Sequence, residues 1–296
     1  MLLKKIINRT INTMLSISPA FFFMIKLPYW GLVNIIIRWW GSTGLHSIRV
    51  GEFKGGASKT RSSYREDMLL KTMMLLLDIR GKSCLDLACN DGFWSFRLAR
   101  LGAKSVKGID MNRDVLVKAN FLKHVYDYPG FRFVKQDIFN FLSNNKRDSF
   151  DIILLLSVLY HLPKGSNWEF FFSSLSKINS ECLIIDSRWH EDMSYWPDPK
   201  QGILKTKKGI IKKWQPTRAE VIKHLYNSGY EHVVEVDSTV FIQDKEGAYG
   251  NGDPYSLENI SDYMTNHRSL IFAYKKKDFM PAALEKIKIE KAEREK

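Results

Sequence analysis

Three aspartates near the ends of short apolar runs have the spacing of a ligand site. Asp86 stands in the run CLDL, Asp110 ends the run VKGID, and Asp137 follows the run FRFVKQ. In open parallel sheets, ligands bind beyond the carboxyl ends of the strands, and an acid at the end of the second strand can accept both hydroxyls of a ribose. Asp137 is one unit further on, where it can accept a hydrogen bond from an adenine amino group. One such aspartate is ordinary because aspartate caps helices, but three in successive units predict a nucleoside-binding site.

The segment LACNDG, which directly follows Asp86, is built mainly from small and polar residues, which let a ligand approach the backbone closely. Ala88, Asn90 and Gly92 give this clearance, and asparagine tolerates left-handed backbone geometry better than most residues. A dinucleotide-binding loop would instead read G-x-G-x-x-G and place a pyrophosphate at a helix N-terminus, and this chain lacks that motif. We therefore expect a nucleoside-like ligand that carries a positive group rather than phosphates.

Polar side chains after the fourth and fifth apolar runs predict the other half of the site. The fourth run is followed by SVLYHLP, which begins at Ser157 and contains Tyr160 and His161. The fifth run leads into IIDSRWHED, whose polar residues from Asp186 to His190 are predicted to form the rim of an acceptor pocket together with His161. Histidine is well matched to proton transfer at neutral pH, so His161 is a candidate general base, although it could equally cap a helix or lie in the core. Tyr160 fits either the ligand pocket or the acceptor, and His190 is an alternative base.

The elements that must position these residues alternate between strand-like and helix-like patterns from about residue 66. Strands are predicted at Cys84–Leu87, Val106–Asp110, Phe131–Gln136, Asp151–Leu156 and Cys182–Asp186, and later near 232–242 and 269–275. Helices are predicted at 67–79, 93–101, 113–125 and 167–178, and a further helix begins at the capping box of Thr217 and Glu220. Nearly continuous apolar strands that alternate with helices predict an α/β fold, a mostly parallel sheet covered on both faces.

Residues 1–65 differ from the rest and are predicted to form an N-terminal aromatic and basic extension. Lys26 and Arg38 interrupt its apolar runs, and Pro19 and Pro28 would break a continuous helix. A spanning helix needs about 20 apolar residues in a row, so we expect residues 1–50 to be helical and not to cross a bilayer. They either pack onto the domain as a lid or contact a membrane surface or a partner through their aromatic side.

Composition limits the class of protein and its partners. With 296 residues, 45% of them hydrophobic, the chain can bury a sizeable core, which excludes a mainly disordered protein. The net charge of +13 permits contact with RNA, anionic lipid or phosphorylated substrates. Its three cysteines match neither a disulfide pattern nor a zinc spacing, which favours a reduced, cytoplasmic protein without a metal site. Residues 279–296 are a charged tail, and the Gly-rich stretch Gly247–Tyr255 is expected to close over the site as a lid.

From about residue 66 to 278, the chain resembles the class I S-adenosylmethionine-dependent methyltransferases. The segment Asp86–Gly92 resembles their first motif, D-x-G-x-G-x-G, with Ala88 and Asn90 at two glycine positions. The wording CNxGF together with VLYHL resembles a branch that includes the tRNA wobble-uridine carboxymethyltransferases, and VLYHL also occurs in methyltransferases of glycans and natural products. The resemblance implies a Rossmann-like, seven-stranded sheet and S-adenosyl-L-methionine as cofactor.

The residues assigned to cofactor binding from the aspartates, the loop and the resemblance are Asp86, Ala88, Asn90, Gly92, Phe93, Asp110, Met111, Asp137, Ile138 and Ser157. Methyl transfer to an oxygen or nitrogen of a small molecule or saccharide is the leading expectation for the reaction, with His161, Tyr160 and His190 as catalytic candidates. Two alternatives stay open. One is an RNA-modifying methyltransferase, which the basic charge favours, and the other is a non-catalytic protein that binds the cofactor.

Overall fold

The structure, a computed structural model, describes residues 48–50, 53–55, 69, 73, 76–144, 148–162, 167–188, 203–206, 209–212, 217–236 and 268–282. The strands in this part of the chain are β1 (Ile48–Val50), β2 (Phe53–Gly55), β3 (Ser83–Leu87), β4 (Ser105–Asp110), β5 (Phe131–Lys135), β6 (Ser149–Leu156), β7 (Asn179–Arg188), β8 (Ile203–Thr206), β9 (Gly209–Lys212), β10 (His232–Val236) and β11 (Arg268–Tyr274). The α-helices are α1 (Phe93–Arg100), α2 (Arg113–Val125), α3 (Ile138–Asn144), α4 (Asn167–Lys177) and α5 (Arg218–Asn227). Short 3-10 turns lie at Leu159–His161 and Lys277–Phe279.

Seven of these strands form one sheet in the order β10-β11-β7-β6-β3-β4-β5. β3 to β7 are parallel, and β10 and β11 join antiparallel beside β7. The chain runs outward from β3 through β4 to β5 and then returns with β6 to the other side of β3. The strand order therefore reverses between β3 and β6, which is where open α/β sheets bind their ligands. The α/β, mostly parallel sheet predicted from the sequence is confirmed.

Helices cover both faces of the sheet because its strands are apolar on both sides. One face packs against α1, α2 and the buried residues Leu69, Met73 and Leu76, which precede β3 in the chain. The other face packs against α3, α4 and α5. Along β6, Ile152 and Leu154 point to the first face while Ile153 and Leu155 point to the second. This alternation explains why the parallel strands read as continuous apolar runs in the sequence.

The helix that precedes β10 begins as its sequence predicts. The Thr217 hydroxyl accepts from the Glu220 amide at 3.1 Å, and the Glu220 carboxylate accepts from the Thr217 amide at 3.1 Å, which completes the capping box of α5. Gly229 follows the helix with a φ of 90°. Such a left-handed φ suits glycine and ends the helix before β10.

Some boundaries differ from the sequence prediction. The fifth predicted strand is longer than Cys182–Asp186, since β7 spans Asn179–Arg188. Near the end of the N-terminal extension, β1 and β2 form an antiparallel pair where helix was expected to continue to residue 50, because the β-branched residues Ile48 and Val50 favour a strand. Most of residues 1–65, the predicted lid at Gly247–Tyr255 and the tail beyond residue 282 lie outside the described residues. Within the described residues, no helix is both long and apolar enough to cross a membrane.

Candidate cofactor and acceptor site

Backbone strain marks the edge of the sheet at which the strand order reverses. Among the described residues, the non-glycine residues with positive φ are Ala88 (56°), Asn90 (53°), Asp127 (53°) and Ser157 (61°). Ala88 and Asn90 follow β3, and Ser157 follows β6, its neighbour in the sheet. Residues held in such conformations cluster at binding and active sites because the surrounding structure must fix them. The strained positions therefore agree with the ligand edge that the sequence predicts.

The loop between β3 and α1 is fixed by hydrogen bonds from its own backbone. The Cys89 amide donates to the Ile109 carbonyl at 2.9 Å, and the Gly92 amide donates to the Cys89 carbonyl at 2.9 Å. Gly92 begins α1 with a φ of 80°, and a Cβ there would lie 3.0 Å from the rings of Phe96 and Phe133. Glycine is thus required at this position both for its φ and for space, whereas Ala88 and Asn90 take left-handed geometry without glycine.

Asp110 is held by two backbone amides at the end of β4. Its Oδ2 accepts from the Asn90 amide at 3.0 Å, and its Oδ1 accepts from the Asn112 amide at 2.8 Å. Each carboxylate oxygen has a second lone pair, so both oxygens can also accept from ribose hydroxyls. The first of these bonds ties the strained Asn90 directly to the acid. This geometry agrees with the role predicted for Asp110 and adds a second role, since the acid also holds the loop.

Asp86 is deeply buried, in contrast to Asp110. The residue is 2% exposed, and its Oδ2 accepts from the Ser95 hydroxyl of α1 at 2.6 Å. Burial raises the pKa of Asp86 from 3.8 to about 7, opposed by the Ser95 hydrogen bond and reinforced by the charges of Asp110 and Asp91. A buried carboxylate of this kind is stabilised in its ionised form by a nearby cation.

The sequence prediction omitted Asp91, which lies in the loop between β3 and α1 and is the third acid at this edge of the sheet, beside Asp86 and Asp110. It is 4% exposed, and no hydrogen bond to its Oδ1 is formed within the described residues. Burial raises the pKa of Asp91 from 3.8 to about 6, opposed by the positive charge of Lys118 on α2. The available signal was a charged residue inside a motif of small residues. A buried carboxylate oxygen without a protein donor is suited to a ligand donor.

An open pocket of about 510 Å³ lies at the carboxyl ends of β4 and β5, lined by Met111, Lys135, Gln136, Asp137 and Asn140. Met111 is 70% exposed here, which is unusual for a large apolar side chain and offers a surface for a planar ring. Asp137 Oδ1 accepts from the Asn140 amide at 3.1 Å and so caps α3, while the carboxylate still borders the pocket. The pocket thus contains two predicted cofactor residues, Met111 and Asp137, of which Asp137 was predicted to accept from the adenine.

Two other predicted cofactor residues belong mainly to the core. Phe93 is 4% exposed and packs its ring edge-on against Trp94 at 5.1 Å. Ile138 is 7% exposed and lies in the core below α3. Their side chains support the loops that carry Gly92 and Asp137.

Beyond β6, the acceptor half of the predicted site begins at Ser157. The Ser157 hydroxyl donates to Asp186 Oδ2 at 3.2 Å, and Asp186 is fully buried rather than part of an open polar rim. His161 is exposed at the end of the 3-10 turn that follows. The structure therefore brings Ser157 and Asp186 together and leaves His161 accessible at the same end of the sheet. The side chain of Tyr160 and the whole of His190 lie outside the described residues.

Comparison with known proteins identifies the family. Residues 79–245 match the family model described as a methyltransferase domain, which is more than half of the chain. The chain belongs to this family. Its fold, a seven-stranded and mostly parallel sheet, is that of the S-adenosylmethionine-dependent methyltransferases.

The curated relatives match this chain over only part of their length. A tRNA U34 carboxymethyltransferase from Campylobacter hominis is 29% identical over 122 residues, which is 40% of this chain and 40% of the relative. An enzyme of the same name from Campylobacter fetus subsp. fetus is 30% identical over 118 residues, covering 38% of this chain and 39% of the relative. The chain thus matches about two fifths of the length of these curated relatives.

Several solved structures share the fold of this chain at low sequence identity. The PH0226 protein from Pyrococcus horikoshii has a TM-score of 0.53 at 16% identity, covering 74% of this chain and 93% of that chain. A candidate S-adenosylmethionine-dependent methyltransferase from Listeria monocytogenes has a TM-score of 0.51 at 20% identity, covering 73% and 98%. The [4+2]-cyclase SpnF has a TM-score of 0.51 at 17% identity, covering 82% and 93%. Since one of these is a cyclase, the fold leaves the reaction to be argued from the site.

The residues present fit S-adenosylmethionine. Its sulfonium and ammonium groups are positive, and two buried carboxyl groups, Asp86 and Asp91, lie in and just after β3; Asp91 Oδ1 accepts no hydrogen bond from the part of the chain that the structure describes. Asp110 has free lone pairs for a ribose, and the pocket beside Met111 and Asp137 has room for a purine. A pyrophosphate would instead meet three acidic side chains, and its negative charge would oppose their ionisation, which agrees with the expectation that the ligand carries a positive group.

Proposed function

We propose that the protein transfers the methyl group of S-adenosylmethionine to an oxygen or nitrogen of a small molecule or saccharide. The observation that carries this proposal is the exposed His161 beside the strained turn at Ser157, next to the cofactor end of β3. A hydroxyl is a poor nucleophile until it loses its proton, and an accessible histidine at that edge can take it. A purely cofactor-binding protein would need no such base.

When bound, S-adenosylmethionine supplies an electrophilic methyl group, and the protein supplies position and a proton acceptor. Asp110 and Asp137 would hold the ribose and the adenine of the cofactor, and the bound sulfonium would supply the methyl group to the acceptor oxygen and would keep the electron pair of the broken bond. The proton of the acceptor hydroxyl passes to His161, which releases it to solvent. Asp110 holds the loop that fixes one reactant, and positioning of this kind supplies effective molarities of roughly 10⁵ M or more.

A labelled-methyl assay tests the proposal. The purified protein is incubated with methyl-labelled S-adenosylmethionine and with cell extracts fractionated into small molecules, glycans and RNA. We expect label in the small-molecule or glycan fraction, and we expect His161→Ala to abolish most of it. His124→Ala is the matched control, because His124 is an exposed histidine at the end of α2, away from the strand ends. Equal labelling by the His161 and His124 variants contradicts the proposed base.

RNA is the second candidate acceptor. The relatives named above are tRNA-modifying enzymes, and the net charge of +13 suits a polyanion. In addition, β8 and β9 form a hairpin with the sequence ILKTKKGIIK, in which the paired strands contain Lys205 and Lys212 and no acid. RNA binding through such a hairpin should weaken as salt rises, because bound phosphates release counterions. Label in the RNA fraction that falls with salt and with Lys205→Glu would favour this candidate over the first.

Location and membrane contact belong to the same proposal. Burial raises the pKa of Cys84 and Cys182 to about 12, and Cys89 is also a buried free thiol. Free, unreactive cysteines support a cytoplasmic protein. We propose that residues 1–50 pack against the domain or rest on the inner membrane face without spanning it. Release of the protein from membranes by carbonate is the expected result, and a requirement for detergent contradicts it.

A further inference from the structure

The turn after β6 is held by a buried carboxylate that has no part in the proposed transfer itself. The Ser157 amide donates to the Asp186 carbonyl at 2.7 Å, and the Ser157 hydroxyl donates to Asp186 Oδ2 at 3.2 Å. Asp186 is 0% exposed, near the end of β7, where it pairs in register with Leu156 of β6. A carboxylate in such a place is costly unless it has partners, so its presence calls for a role.

Ser157 needs this support because of its backbone. Its φ is 61°, in the left-handed region that a residue with a Cβ rarely adopts. A residue in this conformation persists only when neighbouring groups hold it there. Asp186 holds Ser157 with both its main chain and its side chain, whereas no comparable bond is needed where glycine takes the same geometry.

The direction of the following turn depends on Ser157. Val158 and Leu159 are 5% and 0% exposed and pack into the core on the second face of the sheet. The His161 amide then donates to the Val158 carbonyl at 2.8 Å, which closes the 3-10 turn and leaves the His161 side chain exposed. If Ser157 returned to an ordinary φ, the chain after β6 would leave the sheet in another direction and His161 would move with it.

We propose that Asp186 is a positioning residue, which locks the left-handed turn at Ser157 and thereby orients His161 toward the acceptor. The functional part of this inference rests on the proposed role of His161 as the base. It assigns Asp186 to the support of the site rather than to an open acceptor pocket. The carboxylate acts through a hydrogen bond to the Ser157 hydroxyl and makes no contact with substrate.

Two substitutions at Ser157 separate the hydroxyl from the backbone strain. Ser157→Ala and Ser157→Gly both remove the hydroxyl, but only glycine adopts the left-handed φ without cost. Asp186→Ala removes the carboxylate, and Asp186→Asn keeps an oxygen that can accept from Ser157. The structure offers a matched control near the amino ends of β3 and β6, where the Ser83 hydroxyl donates to Asp151 Oδ2 at 2.8 Å. Asp151→Ala breaks a serine–aspartate bond of the same kind far from His161.

Nuclear magnetic resonance tests the positioning without any acceptor. The measured quantities are the exchange rate of the His161 amide and the imidazole signals of His161, assigned with His161→Gln. We expect Ser157→Ala and Asp186→Ala to speed amide exchange about tenfold, because the left-handed conformation is disfavoured by roughly that factor when unsupported. Ser157→Gly, Asp186→Asn and Asp151→Ala should stay within about twofold of the unchanged protein, and Ser157→Gly should rescue Asp186→Ala. Methyl transfer into the fractionated extracts should fall in Asp186→Ala, with little change in the affinity for S-adenosylhomocysteine, because Asp186 is not among the residues assigned to cofactor binding.

The possible results distinguish this inference from the proposed function. Unchanged His161 exchange and signals in both Ser157→Ala and Asp186→Ala overturn the positioning role. Equal effects of alanine and glycine at Ser157 overturn it as well, because strain would then play no part. If exchange behaves as expected while His161→Ala keeps full methyl transfer, the positioning role is supported and the base assignment fails. Should Asp186→Ala not fold, the comparison of Ser157→Ala with Ser157→Gly carries the test.

Discussion

The buried carboxylate of Asp86 should make the binding of S-adenosylmethionine depend on pH. Burial raises the pKa of Asp86 from 3.8 to about 7, so near neutral pH much of the ligand-free protein carries this group protonated. One pKa unit corresponds to about 1.4 kcal/mol, so the ionised form costs the folded protein about 4 kcal/mol. The positive groups of the cofactor favour the ionised form and lower this pKa in the complex. Binding should therefore release a proton.

The direction of the effect on stability follows from the same shift. The folded protein binds more protons than the unfolded chain between pH values near 3.8 and about 7. The contribution of Asp86 to stability is thus most favourable below this window and is lost as pH rises through about 7. Cofactor affinity changes in the opposite direction: it should rise with pH up to about 7, by at most about tenfold per pH unit for one released proton. Asp91, with a pKa of about 6, adds to the lower part of this range.

Titration calorimetry measures both the affinity and the released protons, if it is repeated in buffers with different heats of ionisation. We expect Asp86→Asn to flatten the rise of affinity with pH. Ser95→Ala should move the rise to higher pH, because the Ser95 hydrogen bond lowers the pKa of Asp86. S-adenosylhomocysteine lacks the sulfonium charge, so its affinity should depend less on pH. An affinity for S-adenosylmethionine that does not change between about pH 5 and 8, with no proton release, would refute the reasoning.

Three further outcomes are expected. Asp110→Ala removes the acceptor of two backbone amides and the predicted acceptor of the ribose hydroxyls, so cofactor binding should weaken by about 1–3 kcal/mol in calorimetry; unchanged affinity in a folded variant would mean that the acid is misassigned. Gly108→Ala places a Cβ 2.6 Å from the Phe133 ring and 2.8 Å from Cys89 Sγ, so thermal unfolding should show a loss of about 1–3 kcal/mol, and an unchanged Tm would contradict this packing. His161→Ala should lower turnover by roughly 10²- to 10⁴-fold at nearly constant cofactor affinity, whereas full activity would make the residue structural.

The sequence predicted the sheet well because its signals are local. Continuous apolar runs such as β6 arise where a strand is buried on both faces, and the Thr217 capping box marks a helix start within four residues. The three strand-end acids were also readable, since each lies at or just after the end of its own strand. Asp110 and Asp137 each accept a backbone hydrogen bond in the structure and border the edge at which the ligand is expected.

The remaining features depend on contacts between residues far apart in the chain. The bond between Ser157 and Asp186 joins two strands, and the burial of Asp186 follows from the antiparallel β11 on its other side. From the sequence, the same aspartate appeared as part of an exposed rim. The burial of Asp91 likewise depends on α2, which brings Lys118 near it. Pattern and spacing give no measure of such burial.

Strain and buried charge at one edge of the sheet argue for ligand binding even before an acceptor is known. Ala88, Asn90 and Ser157 each hold a conformation that costs on the order of 1 kcal/mol, and Asp86 adds the cost of a desolvated carboxylate. Strained residues and a buried carboxylate at one edge do not stabilise the protein on its own. A cationic ligand would offset the negative charge and could approach the backbone closely. This reasoning supports cofactor binding equally for an enzyme and for a non-catalytic protein. The step to catalysis depends on the other half of the edge, where the strained turn at Ser157 presents His161 to solvent.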